Sequence, residues 1–410
     1  MLGLILLTPR LEPFLVLLSK SLASAVAVSL AAECVSLPLV AYYYYQVAPL
    51  STVMNLLVVP FFSLLVPLAL VALLVAGLLP ALGAIVFFPV RMLILVIVAL
   101  MDIVNQLTGT LHLYIGQPSL WLLVLCYALL IGFCLVPLAR RTLSAAVLAA
   151  VVLSLGVIIL RPAVSDDLRL SVVDVGQGTG CTYQTSDGHW LVFDTGPGAD
   201  TVAQYLRYCG VDRIDAIVLS HSDLDHIGGC AHILRDFHVE KLLASPYAQT
   251  TDEWQALVPY LGDTEVVSVN EPMAFRLGDA QLGCDLLAAS EDGGENSNQV
   301  VARLEDDGLS TLFTGDTAAE SLDEISWQQA TDLILVPHHG SKNSWDAAFY
   351  DTRQPSLALI SAGRNNRYGH PHAETTDGLS ALNIPTLCTA DTGAVRIYAQ
   401  DGALYYKTGP

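Results

Sequence analysis

The chain has 410 residues and a formal net charge of −20, and 53% of its residues are hydrophobic. Its charge is divided unevenly: residues 1–165 carry six bases and three acids, a net charge of +3, whereas residues 166–410 carry 13 bases and 36 acids, a net charge of −23. No single soluble core needs that asymmetry, so the composition argues against one globular domain. We expect a transmembrane region over residues 1–165 and an acidic globular domain over residues 166–410.

The first region contains several apolar stretches. The start, Met1–Leu7, is too short to cross a bilayer and has no signal-peptide pattern, so we expect a fragment or a shortened gene product. Residues Phe14–Tyr45 predict one weak span or a helix on the membrane surface. Stretches of about 20 residues, long enough to cross the hydrocarbon layer, follow at Leu56–Leu79, Leu82–Val104, Leu120–Leu138 and Leu143–Leu160.

One pair of bases predicts the topology. Arg140 and Arg141 form the only doubled base in the first region and lie between the last two apolar stretches. Because positively charged loops stay on the cytoplasmic side, this turn should be cytoplasmic and the following span should deliver the acidic domain to the other side. We therefore expect a multi-pass protein of the inner (plasma) membrane whose globular domain lies outside the cytoplasm.

From Leu168 onwards, short apolar runs alternate with turns and a helical pattern. Leu170–Val175 and Trp190–Phe193 are predicted strands, and Val202–Tyr208 is a predicted helix. Strands alternating with helices are typical of a layered α/β domain.

The densest group of polar residues follows the next predicted strand, Ile214–Ser220. Four potential metal ligands, His221, Asp223, Asp225 and His226, occupy six positions. In an extended chain alternate side chains share a face, so His221 and Asp223 can point at one ion. If a helix then begins, Asp225 and His226 are directed towards a second ion. The alternative is a solvated acidic loop with incidental histidines.

Three later predicted strands also end in polar residues. Asp316 follows Leu309–Thr314, and a His-His pair follows Leu333–Pro337. The run Leu357–Ser361 precedes the segment 362–372, which contains His370. If these strands share a sheet, their ends can converge on one rim, where loops carry function. Six of the ten histidines lie at these four strand ends, which favours a functional site over surface histidines.

The order of these motifs resembles the metallo-β-lactamase superfamily. The motifs are Asp194-Thr195-Gly196, His221 to His226, Thr314-Gly315-Asp316 and His338 to Ser341. A narrower similarity is to the ComEC competence family, which imports DNA during transformation. That similarity lies in Leu37-Pro38-Leu39, Asn55 to Pro60, Asp174 to Gly178 and Tyr368 to Pro371.

The resemblance implies an αβ/βα metallo-β-lactamase-like domain with two divalent ions. The ions are expected to be Mn²⁺ or Zn²⁺; the many carboxylates suit Mn²⁺ and make Mg²⁺ compatible as well. The implied ligands are His221 and Asp223 for the first ion, Asp225 and His226 for the second, Asp316 as the bridge, and His339, or alternatively His338, as the last ligand. No histidine lies between His238 and His338, so the superfamily's middle histidine is missing; Asn296 or Asn298 lies roughly in its place.

The implied function is phosphodiester hydrolysis during DNA import. Asp225 would orient the attacking water, and His338 or His370 would protonate the leaving oxygen. Because a domain at −23 should repel DNA, contacts to the backbone need local bases, and Lys342, Arg364 and Arg367 flank the rim. The implied partners are a DNA strand in transit, the lipid bilayer, other DNA-uptake proteins and another copy of the chain.

Two other functions fit the same sequence. The protein could be a DNA-channel component whose hydrolase domain is inactive, which the missing histidine favours and the retained Asp225, His226 and Asp316 oppose. It could also be another membrane-tethered hydrolase of the same fold, such as a lactonase or thioesterase, which the carboxylate-rich site and the attached spans oppose.

Overall fold

The structure is a computed structural model. It describes residues 2–15, 17–47, 51–108, 113–135, 156, 167–287, 298–400 and 403–409. The backbone contacts divide the chain into two units, Met1–Ala163 and Val164–Pro410.

The first unit is helical. Its helices are α1 (Leu2–Leu11), α2 (Lys20–Tyr44), α3 (Ser51–Leu78), α4 (Gly83–Thr108) and α5 (Leu120–Leu135). Two short strands, β1 (Gln46–Val47) and β2 (Leu113–Tyr114), pair antiparallel. A small core joins α1, α2 and α5, and small residues such as Ala27 and Ala31 let these helices approach closely.

Three of these helices are long and apolar enough to cross a membrane. They cover Lys20–Tyr44, Val53–Leu78 and Pro80–Ile103. Only 6% of the most apolar window in the second of them is buried inside the protein, so its apolar side chains require lipid or another protein to cover them. The predicted weak span corresponds to α2, whereas the predicted span Leu143–Leu160, apart from Gly156, and the Arg140-Arg141 turn lie outside the described residues.

The second unit contains two β-sheets. Its strands are β3 (Leu168–Val172), β4 (Gly180–Gln184), β5 (Trp190–Thr195), β6 (Arg213–Val218), β7 (His238–Ala244), β8 (Glu265–Ser268), β9 (Met273–Leu277), β10 (Ala280–Leu286), β11 (Val300–Asp306), β12 (Leu309–Phe313), β13 (Leu333–Leu335), β14 (Leu357–Ile360), β15 (Thr386–Cys388), β16 (Ala394–Gln400) and β17 (Ala403–Gly409). One sheet has the order β17-β16-β3-β4-β5-β6-β7-β8, and the other has the order β15-β14-β13-β12-β11-β10-β9.

Helices complete the layers of this unit. They are α6 (Thr201–Cys209), α7 (Leu224–Ile227), α8 (Cys230–Asp236), α9 (Asp252–Gln255), α10 (Ala347–Arg353), α11 (Ala373–Ala381) and α12 (Thr389–Thr392). The main core lies between the sheets, where the rings of Phe193 and Phe313 stack with centroids 4.7 Å apart. A second core packs Phe349 of α10 and Leu379 of α11 against Ile334 on the other face of the second sheet. The predicted α/β sandwich, preceded by a helical region, is confirmed.

Two runs of parallel strands define the rim where the polar residues collect. Strands β5 to β8 are parallel to one another, and so are β12 to β15. Polar segments follow β6, β12, β13 and β14 directly, as predicted. Carboxyl ends of parallel strands meet at one edge of a sheet, so the two sheets present these segments together.

Candidate metal centre

The turn after β6 forms as the sequence predicts. The backbone is extended at Asp223 and helical from Leu224, so Asp225 and His226 lie on the first turn of α7. The crossing backbone leaves no room for side chains beside this turn. A Cβ atom on Gly229 would lie 2.2 Å from the carbonyl oxygen of Thr195, and one on Gly178 would lie 2.3 Å from that of Asp225.

A carboxylate orients His226. Asp194 Oδ2 lies 2.7 Å from His226 Nδ1, and both of its carboxylate oxygens accept hydrogen bonds from Ser220, one from the backbone N–H and one from the hydroxyl. A carboxylate can only accept, so Nδ1 carries a proton and Nε2 is the nitrogen whose lone pair is available to a cation. That Nε2 lies 3.2 Å from Asp316 Oδ1. Such a partner fixes both the tautomer and the ring orientation of a metal-binding histidine.

His339 is prepared in the same way by a carbonyl. Its Nδ1 lies 2.9 Å from the carbonyl oxygen of Ser361, so its Nε2 also keeps a free lone pair. That Nε2 lies 3.4 Å from Asp225 Oδ2 and 3.7 Å from Asp316 Oδ1. His338 and His339 both have positive φ angles, 51° and 56°, a backbone conformation that such residues rarely adopt and that often occurs at functional sites.

The residues present fit a divalent cation. The Nε2 atoms of His221, His226 and His339 are buried and have no hydrogen-bond partner among the described residues, although buried polar atoms normally have one. Ligand atoms of His221, His226 and Asp316 lie within 4.8 Å of one another, and so do those of Asp225, His226 and His339. Imidazoles combined with carboxylates suit Zn²⁺ or Mn²⁺.

The predicted ligand Asp223 lies at the border of this cluster. Its Oδ2 is 3.5 Å from His221 Nε2, its side chain is 41% exposed, and it belongs to neither close group. Its role as a ligand of the first ion stays a prediction.

Opposite charges shift the pKa values of three groups in the cluster. Burial alone would raise the pKa of Asp225, but the close approach of His339 and the charges of His226 and His339 lower it to about 2. Burial would also raise the pKa of Asp316, and the same two imidazoles hold it well below its usual range. Burial alone would lower the pKa of His226, but the carboxylates of Asp316 and Asp194 raise it well above its usual value. The cluster therefore holds positive charge between its carboxylates.

The two candidate proton donors lie at the edge of the cluster. His338 Nε2 is 3.7 Å from Asp316 Oδ2, and the His370 ring lies 6.1 Å from that of His339, centroid to centroid. Burial lowers the pKa of His338, and burial followed by the charge of His339 lowers the pKa of His370 to about 4. Both imidazoles are neutral near pH 7 in the metal-free chain.

The three predicted DNA-contacting bases are exposed near this rim. Arg364 donates from Nε to the carbonyl oxygen of Ala390, and Arg367 donates to the Tyr368 hydroxyl. The backbone N–H of Lys342 donates a hydrogen bond to His372 Nδ1, and the lysine itself is exposed.

Two contributing residues were missed from the sequence. Asp194 was noted only as part of a strand-end motif, and its role emerges from contact with a residue 32 positions away. Gln299 is neither a candidate ligand nor a candidate base. Its Oε1 accepts a hydrogen bond from the backbone N–H of Asp316 at 2.7 Å and so holds the loop that carries the Asp316 carboxylate. Its neighbour Asn298 has a positive φ angle, and Asn296 lies outside the described residues. The one available signal was for Asp194, a polar residue directly after the predicted strand Trp190–Phe193, whereas Gln299 lies before a strand and had none.

Two protein families match this chain. Residues 1–140 match the family described as Competence protein, and residues 177–364 match the metallo-β-lactamase superfamily.

Curated relatives match both regions together. ComE operon protein 3 of Bacillus subtilis is 28% identical over 92% of this chain and 52% of its own length. Competence protein ComA of Neisseria gonorrhoeae is 27% identical over 89% of this chain and 50% of its own length. The chain thus spans about half the length of these relatives. Among solved structures, the metallo-β-lactamase fold protein YhfI of Bacillus subtilis is 13% identical, with a TM-score of 0.39, over 58% of this chain and 99% of that protein.

Asp194→Asn should weaken metal binding. The asparagine amide would donate to His226 Nδ1 and move the imidazole proton to Nε2, where it blocks the lone pair. We expect affinity for Zn²⁺ or Mn²⁺, measured by competition with a chelator, to fall about 10–100-fold. Asp215→Asn is the matched control. Asp215 also pairs with a histidine, with its Oδ1 2.9 Å from His189 Nδ1, but this pair is not part of the cluster. Equal affinity in Asp194→Asn and the unchanged chain would contradict this role.

Metal binding should also depend on pH. Because the pKa of His226 is raised, the metal-free chain keeps this imidazole protonated through neutral pH, and a cation must displace the proton. Apparent affinity measured at pH 6, 7 and 8 should therefore rise by about tenfold per unit for one displaced proton. An affinity that stays constant over this range would show that no proton competes with the ion.

Proposed function

We propose that this chain, which belongs to the competence protein family and carries a metallo-β-lactamase domain, hydrolyses phosphodiester bonds of DNA during its uptake across the membrane. The observation that carries the proposal is the convergence of His221, Asp225, His226, Asp316 and His339 at one rim of the sandwich. It occurs in a membrane protein whose first 140 residues match the Competence protein family.

Bound divalent cations supply Lewis acidity towards a phosphoryl oxygen and activate a water. The imidazoles of His221, His226 and His339 and the carboxylate of Asp316 would hold the ions. Asp225 combines a close approach to this cluster with a side chain that is 34% exposed, and its low pKa keeps it anionic. It can therefore orient, through a hydrogen bond to its anionic oxygen, a water that arrives from solvent.

The leaving oxygen requires a proton from the open side of the cluster. His338 and His370 both face this side, and both are neutral near pH 7 in the metal-free chain. A bound phosphate is negative and would raise the pKa of either imidazole, so the substrate itself favours the protonated form of its donor.

The domain's charge makes DNA binding a local event. A net charge of −23 repels a phosphate backbone at long range, and salt reduces that reach to about 8 Å under physiological conditions. Lys342, Arg364 and Arg367 are exposed and close to the rim, and they are the proposed contacts to the backbone.

A second function is favoured by one observation. No histidine lies between His238 and His338, and Gln299 uses its carboxamide oxygen to hold Asp316 rather than to face an ion. With Asp223 at the border, the first ion has few ligands. A domain that binds and guides DNA without cutting it fits that shortage.

Cleavage assays on the full chain in detergent separate the two functions. We expect cleavage of labelled single- or double-stranded DNA with Mn²⁺, Zn²⁺ or Mg²⁺, and a loss of about 100-fold or more in Asp225→Ala. Asp263→Ala, which changes an exposed carboxylate in a turn before β8, is the matched control and should cleave normally. Equal cleavage by Asp225→Ala and the unchanged chain would remove the metal mechanism, and cleavage by neither would favour the guiding function.

The proposed position of the domain is outside the cytoplasm of a cell whose inner membrane holds the helices. It depends on the Arg140-Arg141 turn, a sequence feature. Alkaline phosphatase fused after Pro410 should be active, and green fluorescent protein fused at the same position should not fluoresce. After Arg141, alkaline phosphatase should be inactive and green fluorescent protein should fluoresce. Fluorescence from the fusion after Pro410 would reverse the topology.

A further inference from the structure

An exposed aromatic ring lies beside the candidate metal centre. Tyr368 belongs to the loop between β14 and α11, and 48% of its surface is exposed. Exposure alone does not distinguish this ring, because Tyr247, Tyr405 and Tyr406 are at least as exposed. Its position next to the candidate metal centre is what sets it apart.

The loop is held rigid by one side chain. Asn366 Oδ1 accepts the backbone N–H groups of Tyr368 and His370, at 3.1 and 3.0 Å. Its Nδ2 donates to the carbonyl oxygens of Gly363 and His370. The Asn366 side chain thus accepts two hydrogen bonds and donates two, all within the loop. Tyr368 is therefore in position before any ligand arrives, which lowers the entropic cost of binding.

A series of rings connects Tyr368 to the metal centre. Its ring stacks on that of His370, with centroids 5.7 Å apart and planes 21° apart. The His370 ring lies 6.1 Å from that of His339, which in turn lies 5.3 Å from that of His226. Tyr368 is therefore two ring contacts away from a proposed metal ligand, close enough for a group next to the reacting phosphate to reach it.

A cation accompanies the ring. The guanidinium carbon of Arg367 lies 4.7 Å from the centre of the Tyr368 ring, and the residue is exposed. A base that stacks on this face displaces the guanidinium, which is then free to contact the backbone phosphates. Proteins that bind single-stranded nucleic acid combine cationic side chains for the backbone with aromatic faces for the bases. In a domain at −23, stacking has a further advantage, because it is a short-range attraction that does not depend on the sign of the surrounding charge.

We propose that Tyr368 is a stacking surface for an unpaired base next to the phosphodiester held at the metal centre, an inference that rests on the proposed function. In a duplex the neighbouring pairs cover both faces of each base, so the base that reaches Tyr368 comes from a single strand or a frayed end. A lactone or a simple thioester has no planar base to stack, so the same ring also selects nucleic acid among the substrate classes that this fold can accept.

Binding is the test, because it does not require cleavage. The full chain in detergent is titrated, in the presence of EDTA, into a fluorescent ten-nucleotide oligothymidylate and into a strand of equal length and charge that lacks its bases. We expect the chain to prefer the base-bearing strand by about tenfold. Tyr368→Ala should abolish that preference while its affinity for the abasic strand is unchanged.

Two variants control for fold and surface. Tyr368→Phe keeps the ring and should keep the preference. Tyr405→Ala removes a tyrosine that is somewhat more exposed, at 57%, from edge strand β17, and should also keep the preference. Equal affinity of the unchanged chain for both strands, or an equal loss on both strands in Tyr368→Ala, would overturn the inference. If no metal supports cleavage but the preference is present, the proposed hydrolysis fails and the stacking surface stands.

Discussion

The site depends on the contact between the buried imidazole of His226 and two carboxylates. Asp194 lies 2.7 Å from one ring nitrogen and Asp316 lies 3.2 Å from the other. Buried carboxylates so close together are tolerated only with positive charge between them. In the metal-free chain a proton on His226 provides that charge, and a cation can replace it. The same contact ties the end of β5 to the loop after β12, so the charge balance of the centre also joins the two sheets.

Much of this architecture could be predicted from the sequence because it is local. The strands before His221, Asp316 and His339 appear as apolar runs, and the polar residues follow each of them directly. What could not be predicted depends on contacts between distant segments. The partner of His339 is a backbone carbonyl, Ser361, which carries no side-chain signal. The role of Gln299 likewise depends on a backbone N–H. His338 and His339 have two successive positive φ angles, which no propensity anticipates, and it is His339 that lies within 4.8 Å of the ligand atoms of Asp225 and His226.

The uneven charge of the chain has separate consequences in its two units. The helical unit holds few charges because its long apolar helices have little protein to cover them. The sandwich concentrates acids, which keeps it soluble but opposes an anionic substrate. Under the proposed function, the DNA would be held by short-range contacts at the rim, where the exposed bases and the Tyr368 ring lie. Electrostatic steering, which many DNA-binding proteins use, is unavailable to a domain at −23.

The most direct test of the metal centre is X-ray absorption at the manganese edge on the full chain loaded with Mn²⁺. The account predicts imidazole nitrogen and carboxylate oxygen around the ion and a neighbouring metal at about 3.5–4 Å. It also predicts that Asp316→Ala loses the metal–metal signal. A shell of water oxygen alone, or a spectrum that Asp316→Ala does not change, would contradict the account.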